Sequence, residues 1–181
     1  MSVSACRSFW LAVVWVTAGS LAAAGASSSE VVRYPLLNGN KFPIARAVEV
    51  PAGTTLVFHS GTTPSPKDPA APAGTPAYWG DTKTQALSAF TNIKESLTAM
   101  GLGFGDVVKM TVFLVADPSS GDTHMDFKGF MEAYTQYFGT ADQPNLPSRS
   151  TVQVAGLASP GMLVEIEVIL AKPAVKAARS K

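Results

Sequence analysis

The sequence predicts an α+β domain with two layers, in which one mixed β-sheet is covered on a single face by two amphipathic helices. Segments that alternate between polar and apolar residues, as half-buried strands do, occur at 47–60, 108–115, 149–155 and 163–170. Segments with apolar residues three and four positions apart, as in helices that bury one face, occur at 82–100 and 126–138. The resulting order of elements, β-β-α-β-α-β-β, favours helices that all pack on the same side of the sheet.

The first 26 residues have the pattern of a secretory signal peptide. Arg7 precedes an apolar run at 9–16, and the small residues at 24–26 come directly before three serines. The strongly apolar run is shorter than the ~20 residues that a membrane-spanning helix needs, so an uncleaved anchor is the weaker alternative. We therefore expect residues 1–26 to be removed. The mature protein should begin near Ser27, should be periplasmic or secreted, and should have no attachment to the membrane.

Composition narrows the classes of function. The only cysteine, Cys6, lies within the predicted signal peptide, so no disulfide or cysteine nucleophile is expected in the mature chain. Removal of the signal also takes away one basic residue, which leaves 14 − 1 = 13 basic against 13 acidic residues. A formally neutral domain is a poor electrostatic match to nucleic acid. The sequence has no glycine-rich phosphate loop and no metal-ligand motif, so neither a cofactor nor a metal is predicted.

The segment that follows the signal is polar and is interrupted by Pro35 and Pro43, which predicts an extended N-terminal arm over residues 27–45. Two strands are predicted next, around a turn at 51–53. His59, in the second of these strands, has no neighbouring histidine or carboxylate at ligand spacing, and it is interpreted as a hydrogen-bonded residue of the sheet.

Residues 61–80 contain five prolines, which excludes a central strand or a long helix. A loop of this length within a compact domain is usually functional or disordered. The aromatic pair Tyr78 and Trp79 at its end argues against complete disorder. The pair could form a lid over a pocket, or it could attach the loop to the sheet, and the sequence favours neither alternative.

Local signals define both helices and the strand between them. Asp81 is a plausible N-cap for the first helix, and Gly101 provides its C-terminal stop. In the strand at 108–115, one face is apolar and the other carries Lys109, Thr111 and Phe113. The second helix is predicted from about Asp126 to Phe138, where its aromatic residues are expected in the core.

The last two strands are predicted to form a hairpin. Within such a hairpin, Arg149 and Thr151 lie on the same face as Glu165, opposite the apolar residues. One interpretation is a solvated sheet face with a surface ion pair, which contributes only ~0–1 kcal/mol to stability. The other interpretation is a chemical site that is partly covered by a neighbouring subunit, because this face mixes charged groups with the large apolar Phe113.

Four motifs, in this order, resemble those of the RidA/YjgF family, which is also catalogued as endoribonuclease L-PSP. They lie at 56–64, 92–94, 105–114 and 145–167, so the resemblance covers about residues 42–172. It implies a chorismate-mutase-like fold over residues 46–172, with a C-terminal tail at 173–181. It also implies a homotrimer with clefts between subunits. Members of the archetypal kind hydrolyse reactive 2-imino or enamine acids to 2-keto acids and ammonia without a cofactor.

The resemblance assigns roles to individual residues. Arg149 matches the arginine that holds the carboxylate of the substrate, and Glu165 matches the residue thought to position or activate water. Thr151 stands where the family often has a cysteine, and the resemblance assigns it, with Glu165, to the catalytic residues. Two positions depart from the family pattern, because Ile44 replaces a tyrosine at the pocket and Met131 appears where an asparagine is usual. Besides a deaminase, the sequence leaves open a non-catalytic protein that binds small carboxylates, while its neutral charge disfavours a ribonuclease.

Overall fold

The computed structural model describes residues 30–117 and 119–172, so the predicted signal peptide and the tail at 173–181 lie outside the described residues. The strands are β1 (Val32–Tyr34), β2 (Ala47–Glu49), β3 (Thr55–Thr62), β4 (Val107–Leu114), β5 (Ser148–Gln153) and β6 (Val164–Lys172). The helices are α1 (Pro76–Trp79), α2 (Thr82–Ala99) and α3 (Phe127–Tyr134). In this part of the chain, none of the helices has both the length and the apolar character that crossing a membrane requires.

The main sheet has four strands in the order β3-β6-β4-β5, and a separate two-stranded sheet pairs β1 with β2. Within the main sheet, β4 runs parallel to β5 and antiparallel to β6. The inward side chains of β4 and β6 form one core with α2 and α3, while Lys109, Thr111 and Phe113 on the other face stay partly exposed. The predicted α+β class, with a mixed sheet covered by helices on one face, is confirmed.

The helix ends follow the predicted capping signals. The Asp81 carboxylate accepts a hydrogen bond of 2.8 Å from the Thr84 amide, and helix α2 stops before Gly101, whose φ of +70° suits glycine. Helix α3 is capped by Asp126 and ends at Tyr134, earlier than the predicted residue 138. The turn after α3 still contributes to the core, whose largest fully buried side chains include Phe90, Ile93, Leu97, Met110, Leu114, Phe130, Tyr134, Phe138, Ile166 and Leu170.

The predicted hairpin of the last two strands is wrong. Strands β5 and β6 are not neighbours, because β4 lies between them in the sheet. The connection at 154–163 is long enough to carry the chain past β4 before it returns as β6. Alternation along a strand shows which residues share a face, but it does not show which strand lies alongside. The observed pairing therefore changes which side chains lie near Arg149.

The N-terminal arm is attached to the domain through Arg33. Its guanidinium donates to the carbonyl oxygens of Gly105, Val107 and Leu146 at 2.8 to 2.9 Å. Burial lowers the pKa of Arg33, and the nearby Asp106 carboxylate opposes that effect. The arm that the sequence predicts as extended therefore forms β1 and is fixed against the start of β4.

Replacing Arg33 by methionine is expected to lower the free energy of unfolding by about 2–4 kcal/mol, because three charge-assisted hydrogen bonds are lost and their carbonyl acceptors stay partly buried. Urea unfolding followed by circular dichroism measures the change. Arg46→Met removes an exposed arginine close to the same arm and should cost no more than about 0.5 kcal/mol. Equal stability of the two variants would show that Arg33 does not hold the arm.

Candidate functional site

The Arg149 side chain extends from the edge strand β5 into an aromatic enclosure on the helix-covered face of the sheet. Its neighbour in the register is Met110, a core residue of β4, and paired residues in a sheet point to the same side. The distances from Cζ to the ring centres are 4.3 Å for Tyr134, 5.2 Å for Phe130, 5.5 Å for Phe42 and 5.8 Å for Phe127. Aromatic faces attract the cation, but they accept no conventional hydrogen bond from its N–H groups.

The charge of Arg149 has no acidic partner within the described residues, because no carboxylate there lies within 4 Å of its guanidinium. Nη1 is buried without a hydrogen-bond partner, and Nη2 donates only to the thioether sulfur of Met131 at 3.2 Å. Burial lowers the pKa of Arg149, and the Tyr134 phenol opposes this change. Because arginine remains protonated in proteins, the site contains a partly buried cation that has no carboxylate partner among the described residues.

Thr151 supplies a second unsatisfied polar group on the same face as Arg149. The register pairs it with Val112 of the core, and its Oγ1 is buried without a partner. Two such groups, two residues apart on one strand, form a compact set of donors. A carboxylate offers the acceptor oxygens that such donors lack, although both atoms are shielded from solvent within this chain.

Tyr134 lies beneath the guanidinium and holds the arm above it. Its hydroxyl donates to the Pro43 carbonyl at 2.8 Å, and the neighbouring Phe42 ring lies over Arg149. Burial raises the pKa of Tyr134 to about 12, against the opposing effect of Arg149, so the phenol stays neutral and remains a donor. Half-buried Ile44, predicted as a pocket residue, lines a cleft of about 400 Å³ beside Phe42.

Glu165 does not share a face with Arg149, which corrects the predicted arrangement. The register pairs Glu165 with Phe113 on the open face of the sheet. Its carboxylate lies against Gly61, where an added methyl group would collide with it. The alternation of side chains along each strand was predicted correctly. Because β4 lies between β5 and β6, however, the register puts Arg149 and Glu165 on opposite faces, whereas the assumed hairpin put them on the same face. Within one chain, Arg149 and Thr151 form a set of donors without Glu165.

The aromatic pair Tyr78 and Trp79 contacts a different part of the domain. Trp79 is 7% exposed, and its Nε1 donates to the Pro160 carbonyl at 2.9 Å, in the connection between β5 and β6. The Gln85 side chain reinforces this contact through the carbonyls of Gly80 and Gly161, each at 3.0 Å. These bonds favour the alternative in which the pair attaches the 61–80 loop to the rest of the domain, although Trp79 is fixed to the connection between β5 and β6 and not to the sheet itself.

Sequence reasoning missed the aromatic enclosure itself. The spacing of Phe127, Phe130 and Tyr134 was interpreted as a core stripe, and Phe130 and Tyr134 are indeed fully buried. The same three rings also face Arg149, and Phe42 completes the enclosure from the arm. The signals available in the sequence were the aromatic spacing of α3 and an arginine without an assigned partner. Only the pairing of β5 with β4 brings the two together in space.

Two further predictions concern other groups. His59 bonds the Ser96 hydroxyl at 2.8 Å and the Ser60 carbonyl at 2.9 Å, as expected for a hydrogen-bonded residue of the sheet. Within residues 30–117 and 119–172, no group of three or more histidine, cysteine or acidic side chains is arranged to hold a metal ion.

Comparison with known proteins identifies relatives of this chain. The family model for Endoribonuclease L-PSP matches residues 39–172. DfrA from Myxococcus xanthus is 38% identical over 127 residues, which cover 70% of this chain and 83% of DfrA. The goat protein named 2-iminobutanoate/2-iminopropanoate deaminase is 42% identical over 90 residues, which cover 50% of this chain and 57% of that protein.

A solved structure is also similar. The crystal structure of TdcF from Escherichia coli with bound serine has a TM-score of 0.50 at 33% identity. The match covers 77% of this chain and 94% of that one. The shared fold therefore extends over almost all of TdcF.

Proposed function

Because the chain belongs to the endoribonuclease L-PSP family, which includes the RidA/YjgF proteins, we propose that it hydrolyses reactive 2-imino or enamine acids to 2-keto acids and ammonia. The observation that supports this most strongly is the partly buried Arg149 guanidinium, which lacks a carboxylate partner among the described residues and lies on the same face of β5 as the unsatisfied hydroxyl of Thr151. A substrate carboxylate would supply the missing charge and acceptors.

The chemistry needs little more than positioning. Arg149 and Thr151 hold the substrate carboxylate, which fixes the neighbouring C=N carbon relative to a water molecule. Water adds to that electrophilic carbon, and the resulting carbinolamine expels ammonia to leave the 2-keto acid. Glu165 takes the proton from the attacking water and returns a proton to the departing nitrogen. The overall reaction consumes one water and releases one ammonia for each imine.

This role for Glu165 requires a second copy of the chain. Arg149 and Glu165 project from opposite faces of one sheet, so a site containing both must combine the helix-covered edge of one subunit with the open face of another. The open face also has apolar surface to cover, since Phe58 is 73% and Val152 is 43% exposed. We therefore propose the homotrimer implied by the family resemblance, with one site between each pair of subunits.

Mixing two variants that are each impaired at a different residue tests the shared site. Every mixed cyclic trimer of Arg149→Lys and Glu165→Gln subunits contains one interface where Arg149 meets Glu165, so random mixing restores about a quarter of the sites. Co-refolded variants should regain about that fraction of the wild-type rate of imine loss, measured with imines made in situ by an amino-acid oxidase. Light scattering checks that the mixture is trimeric. Trimers with no recovered activity would contradict a site shared between subunits.

A binding protein without turnover is the second candidate function. It is favoured by one observation: a single chain already brings the unsatisfied donors of Arg149 and Thr151 to one face, while Glu165 lies on the other. Such a protein would bind 2-keto acids but would not accelerate imine loss. A ribonuclease is disfavoured, because the 13 basic and 13 acidic residues after the predicted signal leave no net charge to attract a polyanion.

Export is also part of the proposal, on the strength of the signal-like sequence at residues 1–26. The mature protein then acts in the periplasm or outside the cell on small carboxylates that reach it there. The intact mass of the exported form tests this, since cleavage should leave a chain that begins near Ser27. A full-length species in the membrane fraction would contradict it.

A further inference from the structure

The unsatisfied donors of the candidate site are closed off from solvent. Arg149 Nη1 and Thr151 Oγ1 are both buried, and neither has a hydrogen-bond partner among the described residues. An anion reaches the guanidinium only if a side chain that covers it moves aside. In this part of the chain, the rings that lie against the guanidinium are those of Phe42, Phe127, Phe130 and Tyr134.

The rings that come from helix α3 belong to a fixed wall. Phe130 and Tyr134 are fully buried in the core, with their ring centres 5.9 Å apart. Phe127 is half-buried, packs against Phe130 and lies at the end of the helix that Asp126 caps. Because a close-packed core has little free volume, one of these rings cannot be displaced without disturbing the packing of α3.

Phe42 differs from these rings, because it is 38% exposed and belongs to the N-terminal arm. The backbone next to it is held in place. The Tyr134 hydroxyl donates to the Pro43 carbonyl at 2.8 Å. The Ala45 amide donates to the Pro147 carbonyl at 2.9 Å. Pro43 also restricts the backbone of the residue before it. Rotation of the Phe42 side chain therefore uncovers the guanidinium while the arm stays attached.

Two weak contacts hold the Phe42 ring over Arg149. The ring centre lies 5.5 Å from the guanidinium carbon, and the ring stacks on Phe127 at 6.2 Å with 17° between the two planes. Contacts of these two kinds together favour the closed position by about five- to fiftyfold. Paired charge-assisted hydrogen bonds from a guanidinium to a carboxylate are stronger than its attraction to a ring. An anion at Arg149 therefore shifts the ring to the open position.

We propose that the Phe42 ring is a gate over Arg149. The gate is closed in this structure, and an anion binds the guanidinium only after the ring has rotated away. The identity of that anion as a substrate carboxylate rests on the proposed function, whereas the gate itself concerns access to Arg149. Since the closed position competes with the ligand, the apparent affinity falls in proportion to the fraction of molecules that are open.

Chemical modification of arginine measures the gate without any ligand. Phenylglyoxal, a dicarbonyl that reacts with accessible guanidinium groups, is applied to the wild-type protein and to Phe42→Ala, and peptide mass mapping gives the rate at each arginine. The rate at Arg149 should rise about five- to fiftyfold in the variant, the factor by which the ring contacts favour closure. Arg46 is exposed in both proteins and is the internal reference. Equal rates at Arg149 in the two proteins would overturn the proposal.

Two neighbouring residues of the arm supply the controls. Arg33 is bound to three carbonyls, so a matching rise in its modification rate would show that the whole arm detaches, and would overturn a gate confined to one ring. Tyr34→Ala removes a 37% exposed aromatic side chain from the same arm and should leave the rate at Arg149 unchanged. Phe42→Leu is the second variant if the alanine variant does not fold. It also lacks both ring contacts and should raise the rate at least about threefold.

Calorimetric titration with pyruvate separates the gate from the proposed function. Phe42→Ala should bind pyruvate at least about threefold more tightly than the wild-type protein, because no closed position competes with the ligand. Faster modification of Arg149 in the variant, without pyruvate binding by either protein, would keep the gate and overturn the proposed function. Unchanged modification of Arg149, with pyruvate bound equally by both proteins, would overturn the gate and leave the proposed function standing.

Discussion

Replacing Arg149 by lysine is expected to weaken 2-keto acid binding and to slow imine loss by about ten- to a hundredfold, while the fold is retained. Lysine keeps the positive charge but replaces a planar pair of donors with a single hydrated ammonium group. The loss of one charge-assisted hydrogen bond costs about 1.5–3 kcal/mol, which corresponds to that range in affinity or kcat/KM. The packing of the aromatic rings around residue 149 does not depend on the planar pair of donors, so the melting temperature should change little.

Three measurements on the same preparation separate the possible roles of Arg149: the rate of imine loss, titration with a 2-keto acid and the melting temperature. The matched control is Arg46→Lys, which makes the same exchange at an exposed arginine and should change none of them. Unchanged 2-keto acid binding in Arg149→Lys, together with a normal melting temperature, would show that Arg149 is structural and that the anion site is assigned to the wrong group.

Replacing Glu165 by glutamine is expected to reduce the rate constant for imine loss by about a hundred- to ten-thousandfold, the usual contribution of a positioned acid–base group. Glutamine keeps the shape of the side chain beside Gly61 but cannot accept a proton. The affinity for a 2-keto acid should fall much less than the rate, because the carboxylate donors belong to Arg149 and Thr151. Steady-state kinetics and calorimetric titration measure the two effects separately.

The matched control for this exchange is Glu167→Gln. Glu167 lies two residues further along β6, on the same open face, and is paired with Thr111. It is exposed, and its replacement should leave turnover within about twofold of the wild-type rate. A Glu165→Gln protein that keeps full turnover would remove Glu165 from the mechanism. A wild-type protein that binds 2-keto acids without any turnover would favour the binding function.

Much of the architecture could be predicted because it depends on local patterns. The capping residue Asp81, the glycine stop at Gly101 and the aromatic spacing of α3 each act over one or two helical turns. Strand periodicity likewise identified which residues of β4 are buried, and Met110 and Val112 are fully buried as that pattern requires. These features are encoded within about ten residues of the positions that they determine.

The prediction that Arg149 and Glu165 share one face of the sheet was wrong, for an identifiable reason. Arg149 and Glu165 were expected on one face because their strands were assumed to be neighbours. The parallel pairing of β5 with β4 turns Arg149 and Thr151 toward the helices, and Glu165 stays on the open face. A pairing partner is chosen by contacts between segments far apart in sequence, and alternation along a strand carries no information about that choice.

The sequence by itself determined the family, the α+β class, the start of each long helix and the residues that could take part in chemistry, because motifs and periodicity are local properties of the chain. Only the tertiary structure decided that the Arg149 guanidinium is enclosed by Phe42, Phe127, Phe130 and Tyr134, and that its charge has no acidic partner among the described residues. Burial and unsatisfied hydrogen bonds arise when distant segments pack together. From the sequence alone, Arg149 could equally lie on a solvated surface. The packing instead surrounds it with aromatic rings and leaves its charge without a nearby anion.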